Sequence, residues 1–360
     1  MSSSLPLQIA KADKGPVRVL VVDDSVVVRT VIDRILSAEP GFVVAHKTNM
    51  AEHALTYLKA EPVDLILLDI ELPGQSGLAA LPAMLAQQPG AKVVILSGHC
   101  EEGSAPAMEA LALGASDIVA KPGSGSFGQQ FPQALIERLT RLFDPVRDPA
   151  PLRPPVARPV AEPGNAPVAC IGIGASTGGI HALGQLFAGL AEAPGVPVLV
   201  TQHLPLSFTP YFAQQLGRMT SLPVRVAEQG DVLMPDTVYV APGDASLLCR
   251  RGLQGRVCIM LDPQKTPIGN LPGVDPMFAS MADVYGGGAV GIVLTGMGRD
   301  GTAGARRIVA AGGWVVAQDE ESSVVWGMPG SVAEAGLNCA LKKPGSIMPF
   351  IAQRAQQASL

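Results

Sequence analysis

The segment VRVLVVDDS, residues 17–25, passes from an almost unbroken apolar run into two acids and a hydroxyl. A short run of this kind, bounded by polar residues, fits a strand buried on both faces, the form a parallel sheet takes when helices cover it. The design recurs downstream. Apolar segments FVVAH (42–46), DLILLD (64–69), KVVILS (92–97) and DIVA (117–120) alternate with helical stretches near 25–38, 51–60, 76–87 and 103–113. Five such units predict a flavodoxin-like sheet in the order 2-1-3-4-5. The first and third strands are then neighbours. Asp23 and Asp24 follow the first and Asp69 ends the third, so their carboxylates converge at one sheet edge. Converging carboxylates suit a hard divalent cation such as Mg²⁺. Ser97 ends the fourth strand and Lys121, followed by Pro122, ends the fifth, which puts a hydroxyl and an ammonium beside the same pocket. A single strand-end Asp is usually only a surface charge. Four positions falling in order at four strand ends argue for a site.

The alternation breaks between Pro145 and Pro167, where eight prolines occur without apolar periodicity. Proline removes backbone donors and favours extended structure, so residues 141–167 are predicted to form a semi-rigid linker. It divides the 360 residues into two halves, each long enough for its own core. With 48% apolar and 16% charged residues the chain is globular in composition. A net charge of -5 and the lack of a basic tract or basic helix-turn-helix argue against a nucleic-acid partner and a transcription factor. Five scattered cysteines with no CxxC pair read as reduced thiols. The opening MSSSLPLQIAKADKGP lacks the apolar core of a signal peptide, and no apolar run reaches the ~18 residues that span a bilayer. The expectation is a soluble, cytoplasmic protein without direct membrane insertion.

Beyond the linker, strands are predicted at VACIGIG (168–174), PVLVTQ (197–202), TVYVAP (237–242), RVCIML (256–261), AVGIVLTG (289–296) and GWVVAQ (313–318), with a helix from about 178 to 190. This is a doubly wound, mostly parallel α/β pattern over residues 168–357. In IGIGASTGGI a strand enters a glycine-rich turn and then a helix, which presents Ser176 at the strand end beside free helix N–H groups. Such a place stabilises an anion, either a phosphate or the oxyanion of acyl transfer. Dinucleotide binding is the weaker option: Thr177 stands where GxGxxG needs its third glycine, and the next strand ends in Gln202-His203 instead of a ribose-binding acid. Nucleophilic catalysis needs a base, and that base needs an orienting carboxylate. His203 lies at the same sheet edge as Ser176. His46, His53 and His99 belong to the first half, and His181 falls on the helix after Ser176. For the carboxylate, Asp300 in GMGRDG and Asp244 after TVYVAP both satisfy the strand-end rule, and spacing does not choose between them.

The set VVDDS, LLDIELPG, ILSG and VAKPG resembles the response-regulator receiver family over residues 17–140. The resemblance implies that Asp69 accepts a phosphoryl group, that Asp23 and Asp24 hold Mg²⁺ with it, and that Ser97 and Lys121 contact the phosphoryl oxygens. Leu72 and Ser76 stand where receivers often carry Met and Asp, and Ile118 where an aromatic switch residue is common. GASTGG, TQHLPLSFTPYFAQQL, VYVAPGD, LTGMGRDGTAGA and WGMPGSV resemble the chemotaxis protein-glutamate methylesterase family, CheB. That resemblance implies Ser176 as nucleophile, His203 as base and Asp300 as its orienter, with Thr177 and Met297 lining an oxyanion hole through backbone N–H groups. It also implies hydrolysis of glutamate methyl esters on methyl-accepting chemotaxis receptors, deamidation of receptor glutamines, no cofactor for the esterase, a CheA-type histidine kinase as phosphodonor, and an unphosphorylated receiver that covers the active site. Ala245-Ser246 departs from the Arg-His often found after APGD, which points to altered substrate contacts there.

Overall fold

The computed structural model describes residues 15–98, 105–121, 130–143, 166–252 and 255–358. Its contacts fall into two compact units, Met1–Arg147 and Asp148–Leu360.

The first unit alternates β1 (Val17–Val22), α1 (Val26–Ser37), β2 (Phe42–Thr48), α2 (Ala51–Ala60), β3 (Leu65–Asp69), α3 (Gly77–Gln87), β4 (Lys92–Ser97), α4 (Ala105–Ala112), β5 (Asp117–Ala120) and α5 (Gln130–Phe143). The sheet order is β2-β1-β3-β4-β5, with every pairing parallel, as the sequence predicts. Residues 19–22, 65–68 and 93–96 have no exposed surface, which is why their sequences show apolar runs and no alternation. Serines start two of the helices. Ser25 accepts from the Val28 N–H at 3.3 Å and Ser76 from the Ala79 N–H at 3.2 Å. Helix α5 is not among the expected segments, although its apolar residues recur at helical spacing; it packs through Leu135, Ile136, Leu139 and Leu142. Pro122, His99 and residues 103–104 of the predicted fourth helix lie outside the described residues, as does most of the linker.

The second unit is built on a seven-stranded sheet ordered β14-β13-β12-β6-β7-β9-β8, again wholly parallel. Its strands are β6 (Cys170–Ala175), β7 (Val198–Gln202), β8 (Val224–Val226), β9 (Val238–Val240), β12 (Ala289–Val293), β13 (Trp314–Gln318) and β14 (Ala340–Lys342). The helices are α6 (Gly179–Ala188), α7 (Thr209–Met219), α8 (Val274–Tyr285), α9 (Thr302–Ala310), α10 (Met328–Glu334) and α11 (Ile347–Ala358). From β6 the chain winds outward through β7, then returns to β12 on the other side. The switch point therefore lies between β6 and β12, where open α/β sheets place their sites.

Two expectations are corrected. RVCIML does not join the main sheet. It forms β11 (Val257–Asp262), antiparallel to β10 (Ser246–Arg251) in a separate two-stranded sheet. The five residues between them cannot carry the crossover that parallel pairing needs. The strand expected over 289–296 stops at Val293. Gly296 donates to Val325 O at 3.2 Å, so residues 295–296 leave the ladder as a loop.

Tyr239 on β9 is wholly buried, yet its hydroxyl donates to Val232 O at 2.9 Å and accepts from Met234 N at 3.0 Å. Tyr239→Phe keeps the packing and strands both backbone groups. It is expected to destabilise the second unit by about 1–3 kcal/mol, read as a lower urea midpoint at unchanged slope.

Candidate functional site

Strand β6 delivers Ser176 to the sheet edge at the switch point. The Ser176 N–H donates to Thr295 O at 3.1 Å, which ties the turn to the loop after β12. Its carbonyl accepts from Gly179 N at 2.8 Å and from Gln202 Nε2 at 2.8 Å. Gly178 caps α6 at φ 75°, a left-handed conformation that a side chain would strain, so the turn closes sharply under the serine. The N–H groups of Thr177 and Met297 enter no hydrogen bond among the described residues. Two backbone donors are thus left at the site, one from each of the two loops.

The His203 N–H donates to Ala175 O at 3.1 Å, so the histidine follows β7 beside the end of β6. Its Nε2 lies 2.8 Å from Asp300 Oδ2. Opposite a carboxylate that nitrogen carries the proton, which leaves Nδ1 as the basic one. The His203 side chain is 17% exposed and that of Asp300 is 0%. Asp300 Oδ2 also accepts from Val274 N at 2.9 Å and Asn270 Nδ2 at 3.3 Å. Oδ1 accepts from Asp275 N and Gly301 N, each at 2.9 Å. Val274 and Asp275 open α8, so the carboxylate sits on a helix N-terminus, where a negative charge is favoured. Burial pushes its pKa up, but the His203 contact and these backbone donors outweigh burial and hold it below the ordinary value.

The other candidates fall elsewhere. Asp244 is exposed on its loop, and the carboxylate bonded to His203 is that of Asp300. His46 stacks on Tyr57, His53 is exposed on α2, and His181 bonds Gln185 within α6. Ala245 and Ser246 are both buried. The Ser246 hydroxyl accepts from Gly273 N at 2.9 Å, one residue before α8. The Ser246 side chain therefore braces the helix that holds Asp300. Sequence reasoning missed Asn270, the α8 N-terminus and Gln202. The first two could have been suspected from NLPGVDP, where a glycine precedes an acid and a proline at a helix start.

In the first unit, Asp23, Asp24 and Asp69 bring carboxylate oxygens within 4.8 Å of one another. Lys121 Nζ lies 2.7 Å from Asp23 Oδ2 and 2.6 Å from Asp69 Oδ2. Burial raises the Asp69 pKa despite Lys121. Burial opposes charge on Lys121 too, but its bonds to Asp23 and Asp69 win and raise it. Hard oxygen donors at this spacing, with one carboxylate destabilised by burial, fit a divalent cation. Arg29 fixes the loop that carries them, donating to Asp23 O at 2.5 Å and Asp24 O at 2.9 Å. Ser97 is buried at the end of β4, and its carbonyl accepts from Lys121 N at 2.7 Å. Ser76 replaces the acid common in receivers and still caps α3. Ile118 is buried in β5.

The model of the CheB methylesterase family matches residues 171–351, and that of the response regulator receiver domain matches residues 19–126. A protein-glutamate methylesterase/protein-glutamine glutaminase from Caulobacter vibrioides is 41% identical over 348 residues, covering 95% of this chain and all of that protein. The chain belongs to the CheB methylesterase family. A relative of the same name from Nitrobacter hamburgensis is 38% identical, with 96% of this chain and 95% of that protein covered. The crystal structure of the Thermotoga maritima CheB methylesterase catalytic domain aligns at a TM-score of 0.50 and 34% identity, covering 52% of this chain and 99% of that one. CheB relatives thus match the chain along nearly its whole length. Among the described residues no helix is long and apolar enough to cross a membrane.

The depressed Asp300 pKa has a consequence for stability. Its charged form stabilises the fold, fully above the unfolded value of 3.8, and the contribution is lost as pH falls through the lower folded value. Asp300→Asn is therefore expected to be less stable than the native chain at neutral pH. The gap should close as pH falls below about 4 in thermal melts across a pH series.

Proposed function

We propose that the chain is a receiver-regulated protein-glutamate methylesterase and protein-glutamine glutaminase acting on methyl-accepting chemotaxis receptors. The observation that carries its chemistry is the His203–Asp300 hydrogen bond at the sheet edge where β6 presents Ser176. His203 Nδ1 takes the proton of Ser176 Oγ as that oxygen attacks the carbonyl carbon of the glutamate methyl ester. The tetrahedral oxyanion is met by the N–H groups of Thr177 and Met297, donors whose value grows where water is excluded. The imidazolium, steadied by the Asp300 carboxylate, returns the proton to the departing methoxide, and methanol leaves. Water then attacks the acyl-serine with His203 again as base, which frees the serine and a glutamate side chain. A glutamine substrate follows the same course with ammonia as leaving group. The esterase needs no cofactor in this scheme.

Three segments divide the work: a receiver at 17–140, a proline-rich linker at 141–167 and the catalytic domain at 168–357. Asp69 accepts a phosphoryl group from a CheA-type histidine kinase in the cytoplasm. Asp23, Asp24 and Asp69 would hold Mg²⁺, which neutralises charge on the phosphoryl oxygens during transfer. Ser97 and Lys121 contact those oxygens afterwards, and the product shifts the population toward an active esterase.

Ser176→Ala is expected to lower methanol release from methylated receptor by about a thousandfold or more. A retained rate would remove Ser176 as nucleophile. Asp69→Asn is expected to abolish the rise in methanol release that a small-molecule phosphodonor produces in the native chain. An unchanged rise would move control away from Asp69.

A further inference from the structure

Helices α8 and α9 meet at their first turns. Asp300, two residues before α9, lays its carboxylate on the α8 N–H groups of Val274 and Asp275. Asp275, in the first turn of α8, returns the contact: its Oδ1 accepts from Gly304 N in the first turn of α9 at 2.7 Å. Each helix start is thus capped by an acid from the other. The crossing is tight, because a Cβ on Gly304 would lie 2.6 Å from Phe278 Cβ and 2.7 Å from Asp275 O. Neither helix can slide without releasing a carboxylate.

We propose that Asp275 is a positioning residue for the esterase, tying the starts of α8 and α9 together so that Asp300 stays aimed at His203. Its main-chain N–H holds Asp300 Oδ1 while its side chain holds the helix that follows Asp300. One residue therefore fixes the orienting acid from both sides. The arrangement brings two carboxylates close. Burial chiefly, and the Asp300 charge to a smaller degree, push the Asp275 pKa up to about 6 against the Gly304 hydrogen bond. An acid kept in so unfavourable a place at a helix junction is accounted for by what it holds. The proposal rests on Asp300 as orienter of His203.

A double-mutant cycle in the full-length chain tests it by methanol release from methylated receptor. Asp275→Ala is expected to lower kcat about tenfold at constant KM, since misplacing a catalytic group by an ångström costs up to about a hundredfold. Asp275→Asn, whose carbonyl can still accept from Gly304, is expected to recover most of that loss. In an Asp300→Ala background the same Asp275→Ala change is expected to cost less than about twofold, because a residue acting through another falls silent without it. Equal losses in both backgrounds would overturn the proposal, as would native kcat in Asp275→Ala alone. Failure of the triad reading looks different, because Asp300→Ala would then itself keep the native rate. Should the alanine variant not fold, Asp275→Glu, which moves the carboxylate one methylene further, takes its place in the cycle. Equal losses in the two backgrounds, or a native kcat, would overturn the proposal there as well.

Discussion

The catalytic unit depends on keeping one fully buried carboxylate charged. An unpartnered charge in the interior costs several kcal/mol and would simply take up a proton. Asp300 avoids this because every side of it meets a donor: the imidazole of His203, the Asn270 amide, and main-chain N–H groups of Val274, Asp275 and Gly301. Three of these donors are backbone, fixed by the start of α8 and the turn into α9. The anion is therefore held by secondary structure, and its direction toward His203 is as rigid as the helices. This explains why Ser246 and Gly273, which form no hydrogen bond with His203 among the described residues, belong to the same assembly. They brace the helix end on which the anion sits.

Asp69 is the counterexample in the same chain. It too is buried, but its backbone donor is Glu71 N, at 3.2 Å, and its main partner is the Lys121 ammonium. Burial wins, with the nearby Asp23 charge adding to it, so the Asp69 pKa rises where that of Asp300 falls. Two buried acids at two sheet edges therefore have opposite temperaments. One is stabilised as a permanent anion, suited to steadying an imidazolium. The other is an uncomfortable anion that gains from a cation or from covalent capture of its charge, which suits an acceptor.

Much of this was legible in the sequence because strand ends are legible. Continuous apolar runs located β1, β3, β4, β6, β7 and β12 within a few residues, and the residues at or just past their ends include Asp23, Asp69, Ser176 and His203. The choice between Asp244 and Asp300 was not legible from spacing. It depends on α8, which starts more than twenty residues before Asp300. Val274, Met277, Phe278 and Met281 are buried at helical spacing, but that pattern does not tell that the first N–H groups of the helix meet the Asp300 carboxylate. Strands β8 and β14 have three residues each and leave no pattern to read. RVCIML looked like another strand of the main sheet because its apolar run is like the others, whereas the direction of pairing is decided by the length of the connection.

The receiver half poses a different question of transmission. Ile118 stands buried where an aromatic side chain often alternates between two positions. A β-branched side chain is stiff at χ1 and too small to exchange an inward for an outward seat. The Lys121 ammonium is the cation in direct contact with the acceptor. It now bridges Asp23 and Asp69, and a phosphoryl group on Asp69 would replace one acceptor oxygen with several carrying more charge. Moving Lys121 toward them draws on the end of β5, whose backbone is already tied to Ser97 through the Lys121 N–H. The Lys121 ion pairs and the β4–β5 hydrogen bonding thus meet at one residue, while Ile118 brings no aromatic side chain to that end of the sheet.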